Sequence, residues 1–208
     1  VEGIFVGDAN DFTDEDGIIT IRDVTVSNVD AGDKTAEGIH VKHYDSGDPI
    51  DGVSIKDVTI NGVDTPDTVG GANGIKLQSD LNNVSIDGTT IKNVTGKWSY
   101  GVTLTPASLE DGIPKDVSIN NSTIVDVEAT TYDGVGVGID SRGGGDVDPT
   151  ASNNDPDDVA DPRELSIIGT DFENPLYVGI LNKNLAYTSL NIDSNNTYES
   201  GITPKQGL

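Results

Sequence analysis

A short element that begins with glycine and continues with alternating aliphatic residues recurs along the whole chain of 208 residues. Six copies stand at Gly3–Val6, Gly38–Val41, Gly74–Leu77, Gly101–Leu104, Gly136–Ile139 and Gly179–Leu181. The spacings between their leading glycines are 35, 36, 27, 35 and 43 residues. Self-similarity at such a period is typical of repeat architectures, in which each repeat buries its apolar face against its neighbours.

A second element follows the first in every repeat. Clear copies are Ile19–Val26, Val53–Ile60, Val84–Ile91 and Val117–Ile124, and weaker copies are Leu165–Phe172 and Leu190–Thr197. A turn-forming residue interrupts each clear copy, namely Asp23, Asp57, Gly88 and Asn121 in order. Both elements alternate with period two and are rich in β-branched residues, which is typical of strands. Since the interruption splits the second element into two strands, we predict three strands per repeat.

Three short strands in a repeat of this length predict an all-β parallel β-helix, a solenoid of about six coils with three strands per coil. Alternation predicts that the aliphatic residues of the first element, such as Ile39 and Val41, point into the core. The same argument gives the second element an inward column at Ile21, Ile55, Ile86, Ile119, Ile167 and Ile192. We expect residues 1–208 to form one domain, with an acidic loop inserted at 141–163.

With this repeat, the chain resembles the right-handed, single-stranded parallel β-helix superfamily, which includes pectate lyases, polygalacturonases and phage tailspikes. The resemblance covers nearly the whole chain and implies a right-handed coil. It implies no single activity, because this fold carries many chemistries. The catalytic carboxylate cluster of polygalacturonases, with its Asp-Asp pair and Gly-His-Gly segment, is absent, as are the paired calcium aspartates and arginine of pectate lyases.

The composition excludes several classes of function. The formal net charge is −24, from 36 acidic and 12 basic residues, so nucleic acid and anionic lipid are not expected partners. No apolar stretch is long enough for membrane insertion by a helix. The absence of Cys excludes disulfides and thiolate chemistry. Acidity of this degree predicts a halophilic protein, in which high salt screens the repulsion between carboxylates.

The outward positions of the first element, where many enzymes of this superfamily bind saccharides, carry a distinctive group of side chains. These candidate glycan-binding residues, with those of the adjoining loops, are His40, Lys42, His43, Tyr44, Lys76, Gln78, Trp98 and Tyr100. Aromatic rings could stack on sugar faces while cations pair with carboxylates or sulfates. For a lyase, His40, Lys42 or Tyr44 could supply the base or the cation that catalysis requires.

The acidic loop offers a candidate calcium site. Its oxygen ligands would come from Asp140, Asp146, Asp148, Asp155, Asp157 and Asp158. These residues lack the spacing of an EF-hand or a calcium β-roll, so a solvated acidic loop is favoured over Ca²⁺ binding. We expect no other cofactor.

The ends of the repeat array indicate its context. The first strand begins at Gly3, and Gly201–Pro204 resembles the start of a further copy. Open coils expose strand edges, so we expect other subunits or further chain to cover them. The sequence therefore predicts an extracellular, cell-surface or virion-surface module, such as a fibre, adhesin or virion spike, that contacts a glycan or surface polymer. The alternative is a polysaccharide lyase or glycosidase acting on an acidic polysaccharide.

Overall fold

A computed structural model of the chain describes residues 1–7, 18–32, 34–43, 50–66, 70–79, 81–106, 113–130, 134–139, 164–173, 178–182 and 189–206. The regular structure in these ranges consists of 19 short β-strands. Their bounds are β1 Glu2–Gly7, β2 Ile19–Arg22, β3 Thr25–Asp30, β4 Ala36–Lys42, β5 Ile50–Lys56, β6 Thr59–Asp64, β7 Ala72–Gln78, β8 Leu81–Asp87, β9 Thr90–Gly96, β10 Ser99–Thr105, β11 Val117–Asn120, β12 Thr123–Ala129, β13 Gly134–Ile139, β14 Glu164–Ile168, β15 Asp171–Phe172, β16 Val178–Asn182, β17 Ser189–Ile192, β18 Thr197–Tyr198 and β19 Thr203–Gln206. Within the described ranges, no helix has the length and apolar character needed to cross a membrane.

The strands form three parallel sheets, here called A, B and C. Sheet A has the order β1-β4-β7-β10-β13-β16-β19, sheet B the order β17-β14-β11-β8-β5-β2, and sheet C the order β18-β15-β12-β9-β6-β3. Strands that follow one another in the chain therefore belong to different sheets, and each strand from β1 to β16 pairs with the strand three places further on. This topology is that of a parallel β-solenoid, and it confirms the prediction of three strands per coil.

The register stacks equivalent residues of successive repeats on one another. In sheet A, Ile39 pairs with both Ile4 and Ile75, and Val102 pairs with both Ile75 and Val137. These residues lie in the core, where Ile4 is partly buried and the others are fully buried. Burying a side chain of this size contributes roughly 1.5–3 kcal/mol, so aliphatic columns of this kind are the main stabilising feature of the solenoid.

The predicted interruptions of the second element form the bends between sheets B and C. Asp23, Asp57, Gly88 and Asn121 all have positive φ, at 54°, 52°, 59° and 47°. The left-handed conformation costs roughly 1–2 kcal/mol for most residues but less for Gly, Asn and Asp. The residue types at these positions are therefore those that allow the chain to turn here, and the predicted division of the second element is confirmed.

The leading glycines of the first element permit a close approach between sheets A and C. A Cβ atom on Gly38 would lie 2.7 Å from Ile60 Cγ2 and 2.6 Å from the carbonyl oxygen of Gly74. Gly38 thus faces the interior, as its neighbour Ile39 does. Since two consecutive positions face inward, strict alternation is broken here, and Glu37 lies on the same outer side of the sheet as His40.

Candidate functional site

The candidate site lies on the outer side of sheet A, across strands β1, β4, β7 and β10. The register aligns Phe5, His40, Lys76 and Thr103 in one column. A neighbouring column contains Glu2, Glu37, Asn73 and Tyr100. Most of these side chains are buried although they lie outside the aliphatic core. Their polar groups therefore mainly contact one another, and we call Glu2, Phe5, Glu37, His40, Lys76 and Gln78 the outer cluster.

His40 is the centre of the outer cluster and is only 6% exposed. Its Nε2 atom lies 2.9 Å from Oε1 of Gln78, and Nε2 of Gln78 donates a hydrogen bond to the carbonyl oxygen of Pro106 at 3.3 Å. A carbonyl oxygen only accepts, so the amide of Gln78 must direct its oxygen toward the ring. Nε2 of His40 therefore carries the donated hydrogen, and in the neutral ring Nδ1 carries a lone pair.

The other ring nitrogen of His40 faces a carboxylate. Nδ1 is buried, has no hydrogen-bond partner among the described residues and lies 3.7 Å from Oε1 of Glu2. The ring of Phe5 packs edge-on against the imidazole, with 5.3 Å between centroids. Burial, followed by the charge of Lys76, lowers the pKa of His40 from 6.5 to about 4, although Gln78 and Glu2 act in the opposite direction. The imidazole is therefore neutral at neutral pH.

Lys76 and Glu37 form the ion pair of the outer cluster. Nζ of Lys76 lies 3.2 Å from Oε1 of Glu37, and both side chains are mostly shielded from solvent. Removing one partner from a buried pair typically costs about 3–5 kcal/mol, since it leaves the other charge uncompensated. The ammonium of Lys76 is thus paired with Glu37 within the protein and is mostly shielded from solvent.

The structure brings His40, Lys76 and Gln78 together, as their predicted common face requires. Lys42 pairs in register with Gln78 and is partly buried, while His43 follows β4 and is buried. The remaining candidates lie toward the start of β10. Tyr100 is buried and packs with Val135 and the partly buried Trp98, whose ring centroid lies 5.7 Å from Nζ of Lys97.

Two groups of predictions lie outside the described residues. Tyr44 is one, so its part in glycan binding or catalysis stays a prediction. The other is the acidic loop at 141–163 together with its candidate calcium ligands Asp140, Asp146, Asp148, Asp155, Asp157 and Asp158.

Sequence reasoning missed the two glutamates of the outer cluster. The ligand atoms of Glu2, Glu37 and His40 all lie within 4.8 Å of one another, a grouping that could hold a metal ion. Strict alternation would put Glu37 and His40, three residues apart, on opposite faces of the strand. The available sequence signal was that Glu precedes the leading glycine in both of the first two repeats.

The fold and the outer cluster define the chain as a parallel β-solenoid protein with a buried polar group on one sheet. No family model, no curated protein and no solved structure matches the chain.

Proposed function

We propose that this chain is a non-catalytic, extracellular β-solenoid module of a salt-loving organism, serving as part of a fibre, an adhesin or a virion spike. The proposal rests mainly on two contacts that occupy polar groups on the outer side of sheet A: the hydrogen bond between His40 and Gln78, and the ion pair between Lys76 and Glu37. We also propose that the coil is right-handed, because parallel crossovers in one sheet are nearly always right-handed. A relationship to the pectate-lyase-like superfamily is likewise part of the proposal.

The contacts of the outer cluster argue against acid–base catalysis. A general base must lie within hydrogen-bonding distance of the proton that it removes. His40 is 6% exposed, its Nε2 is occupied by Gln78, and its Nδ1 is buried against Glu2 and so is shielded from a substrate. Lys76 is paired with Glu37. Because these groups are buried and bound to other residues of the cluster, they support a structural role for it.

A glycan contact is better supported near the start of β10. Trp98 is partly buried, and Lys97 places its ammonium over the indole ring at 5.7 Å from the centroid. An indole face could stack on a sugar while the neighbouring ammonium pairs with a carboxylate or sulfate. We therefore propose that Trp98 and Lys97 make the main contact with an acidic surface glycan.

The test combines a binding assay with a turnover assay in molar KCl. Trp98→Ala should weaken binding of a carboxylated or sulfated polysaccharide by at least about tenfold, the loss expected when a stacked aromatic anchor is removed. Phe5→Ala is the matched control, because Phe5 is a 46% exposed aromatic residue on the same sheet. Neither the parent nor a variant should release reducing ends or unsaturated sugars. Catalytic turnover by the parent would refute the non-catalytic proposal.

The second candidate function is that of a polysaccharide lyase or glycosidase. The observation in its favour is that two carboxylates, Glu2 and Glu37, lie beside His40 within 4.8 Å. Paired carboxylates about 5 Å apart are the catalytic groups of retaining glycosidases. Replacing both Glu2 and Glu37 by Gln, or both His40 and Lys42 by Ala, should then abolish product formation from an acidic polysaccharide. Absence of turnover by the parent on a broad panel of glycans would count against this function.

A further inference from the structure

Three potential metal ligands converge at the edge of sheet A. The ligand atoms of Glu2, Glu37 and His40 lie within 4.8 Å of one another. Two of these side chains are shielded from solvent, since those of Glu37 and His40 are 6% and 8% exposed. The three residues come from the neighbouring strands β1 and β4, so the pairing of the sheet itself holds them together.

The buried imidazole directs an unpartnered nitrogen into this group. Gln78 accepts the hydrogen on Nε2 and is in turn fixed by the carbonyl of Pro106. Within the part of the chain that the structure describes, Nδ1 of His40 has no hydrogen-bond partner, and it faces Oε1 of Glu2 at 3.7 Å. Metal-binding histidines characteristically donate their other ring N–H to an oxygen acceptor, which fixes the tautomer and the orientation of the ring. Gln78 serves His40 in this manner.

The facing groups call for a cation between them. The lone pair on Nδ1 repels the carboxylate of Glu2. The ammonium of Lys76 does not relieve this repulsion by a hydrogen bond to Nδ1, because it donates to Oε1 of Glu37 at 3.2 Å. We propose that Glu2, Glu37 and His40 bind one divalent transition-metal ion of the chemical class of Zn²⁺. Such ions accept one imidazole nitrogen with carboxylate oxygens and complete their coordination with water. An imidazole ligand is unsuited to Ca²⁺ or Mg²⁺, which prefer oxygen.

The required adjustment of the side chains is small. Ligand atoms in a tetrahedral zinc site stand roughly 3.4 Å apart, given bonds of about 2.1 Å. Nδ1 of His40 and Oε1 of Glu2 are already separated by 3.7 Å. The side chain of Glu2 is 38% exposed and can change its rotamer. The bound ion would join strand β1 to β4, a role that goes beyond the proposed surface function and does not depend on it.

Zinc binding can be observed directly at His40. The chain contains two histidines, so nitrogen–proton correlation spectra of the imidazoles give one internal control, His43. One equivalent of Zn²⁺ added to chelator-treated protein in molar KCl should shift the Nδ1 resonance of His40 to that of a metal-bound nitrogen and leave His43 unchanged. An unchanged His40 resonance would overturn the proposal.

Calorimetry then tests the ligand set. Excess Mg²⁺ is included to occupy non-specific sites among the surface carboxylates. The parent should bind one Zn²⁺, and His40→Gln and Glu37→Gln should each weaken binding by at least about tenfold. Glu164→Gln is the matched control, because Glu164 is an exposed carboxylate on sheet B. Equal affinities for Zn²⁺ in the parent and all three variants would overturn the proposed site. If a variant fails to fold, the resonance of His40 in the parent still decides the question.

Discussion

The leading glycines give the most direct test of how the coils pack, and Gly74→Ala is the most informative substitution. A Cβ atom at this position would lie 2.4 Å from Cγ2 of Ile91 and 2.6 Å from the carbonyl oxygen of Gly101. Carbon atoms normally make contact at about 3.5–4.0 Å. The new methyl group would therefore overlap both a core side chain and the backbone of the next coil.

The expected cost follows from these two contacts. Overpacking a core typically costs about 1–3 kcal/mol, and replacing Gly by Ala returns about 0.4–1 kcal/mol by restricting the unfolded chain. Because Gly101 belongs to a strand paired with that of Gly74, its carbonyl cannot move without disturbing the ladder. We expect a net loss of about 2 kcal/mol in the free energy of unfolding. Adding Ile91→Ala should reduce the side-chain part of the clash, so the two substitutions should be non-additive.

Urea denaturation at constant molar KCl measures this loss, followed by circular dichroism. The control is Gly32→Ala, where φ is +64° and, apart from the glycine and its chain neighbours, no atom of the described residues lies within 4 Å of the added Cβ. That variant loses roughly 1 kcal/mol through left-handed strain alone. If Gly74→Ala were as stable as Gly32→Ala, the close approach of sheets A and C would not be the reason for the glycine, and the argument would fail.

Four further outcomes test the rest of the account. The melting temperature should rise steeply from dilute buffer to molar KCl, since 36 acidic residues oppose 12 basic ones; a flat response contradicts a halophilic protein. Phe172→Ala should cost about 3–5 kcal/mol in urea titrations, because its buried ring stacks on Tyr198 at 5.0 Å; a loss below about 1 kcal/mol contradicts this packing. In metal-free protein the pKa of His40 should be about 4 by NMR, so the folded state binds fewer protons than the unfolded state between pH 4 and 6.5. Stability relative to His40→Gln should then fall as the pH is lowered through that window, and an ordinary pKa contradicts the burial argument. Lys76→Met should strengthen zinc binding in calorimetry, because Nζ competes for Glu37 at 3.2 Å; unchanged affinity argues against competition.

The fold could be predicted because its determinants are local. Alternation assigned Ile39 to the core from its immediate neighbours, and the turn preference of Asp57 marked a bend that the structure forms at φ 52°. The reason for the glycines could not be predicted in the same way. The contact that excludes a side chain at Gly38 involves Ile60 and Gly74, which lie 22 and 36 residues after Gly38 in the sequence.

The site was predicted in part for the same reason. Repeats in register bring His40, Lys76 and Gln78 onto one face, and the repeat pattern carried that information. Burial of His40 depends on contacts with Phe5 and Gln78 in other coils, which no local pattern reports. Glu37 was missed because the period-two rule fails at the glycine that follows it.

The negative charge of the chain has opposite effects on its two proposed properties. A net charge of −24 raises the local concentration of cations and so favours binding of a metal at the outer cluster. The same charge destabilises the folded chain at low salt, and the salt that relieves this repulsion also screens the attraction for cations. Buried ligands are screened less than exposed ones. Placing the Glu37 carboxylate and the His40 imidazole out of solvent is therefore what would let a metal site persist at the high salt concentration that we propose for this protein.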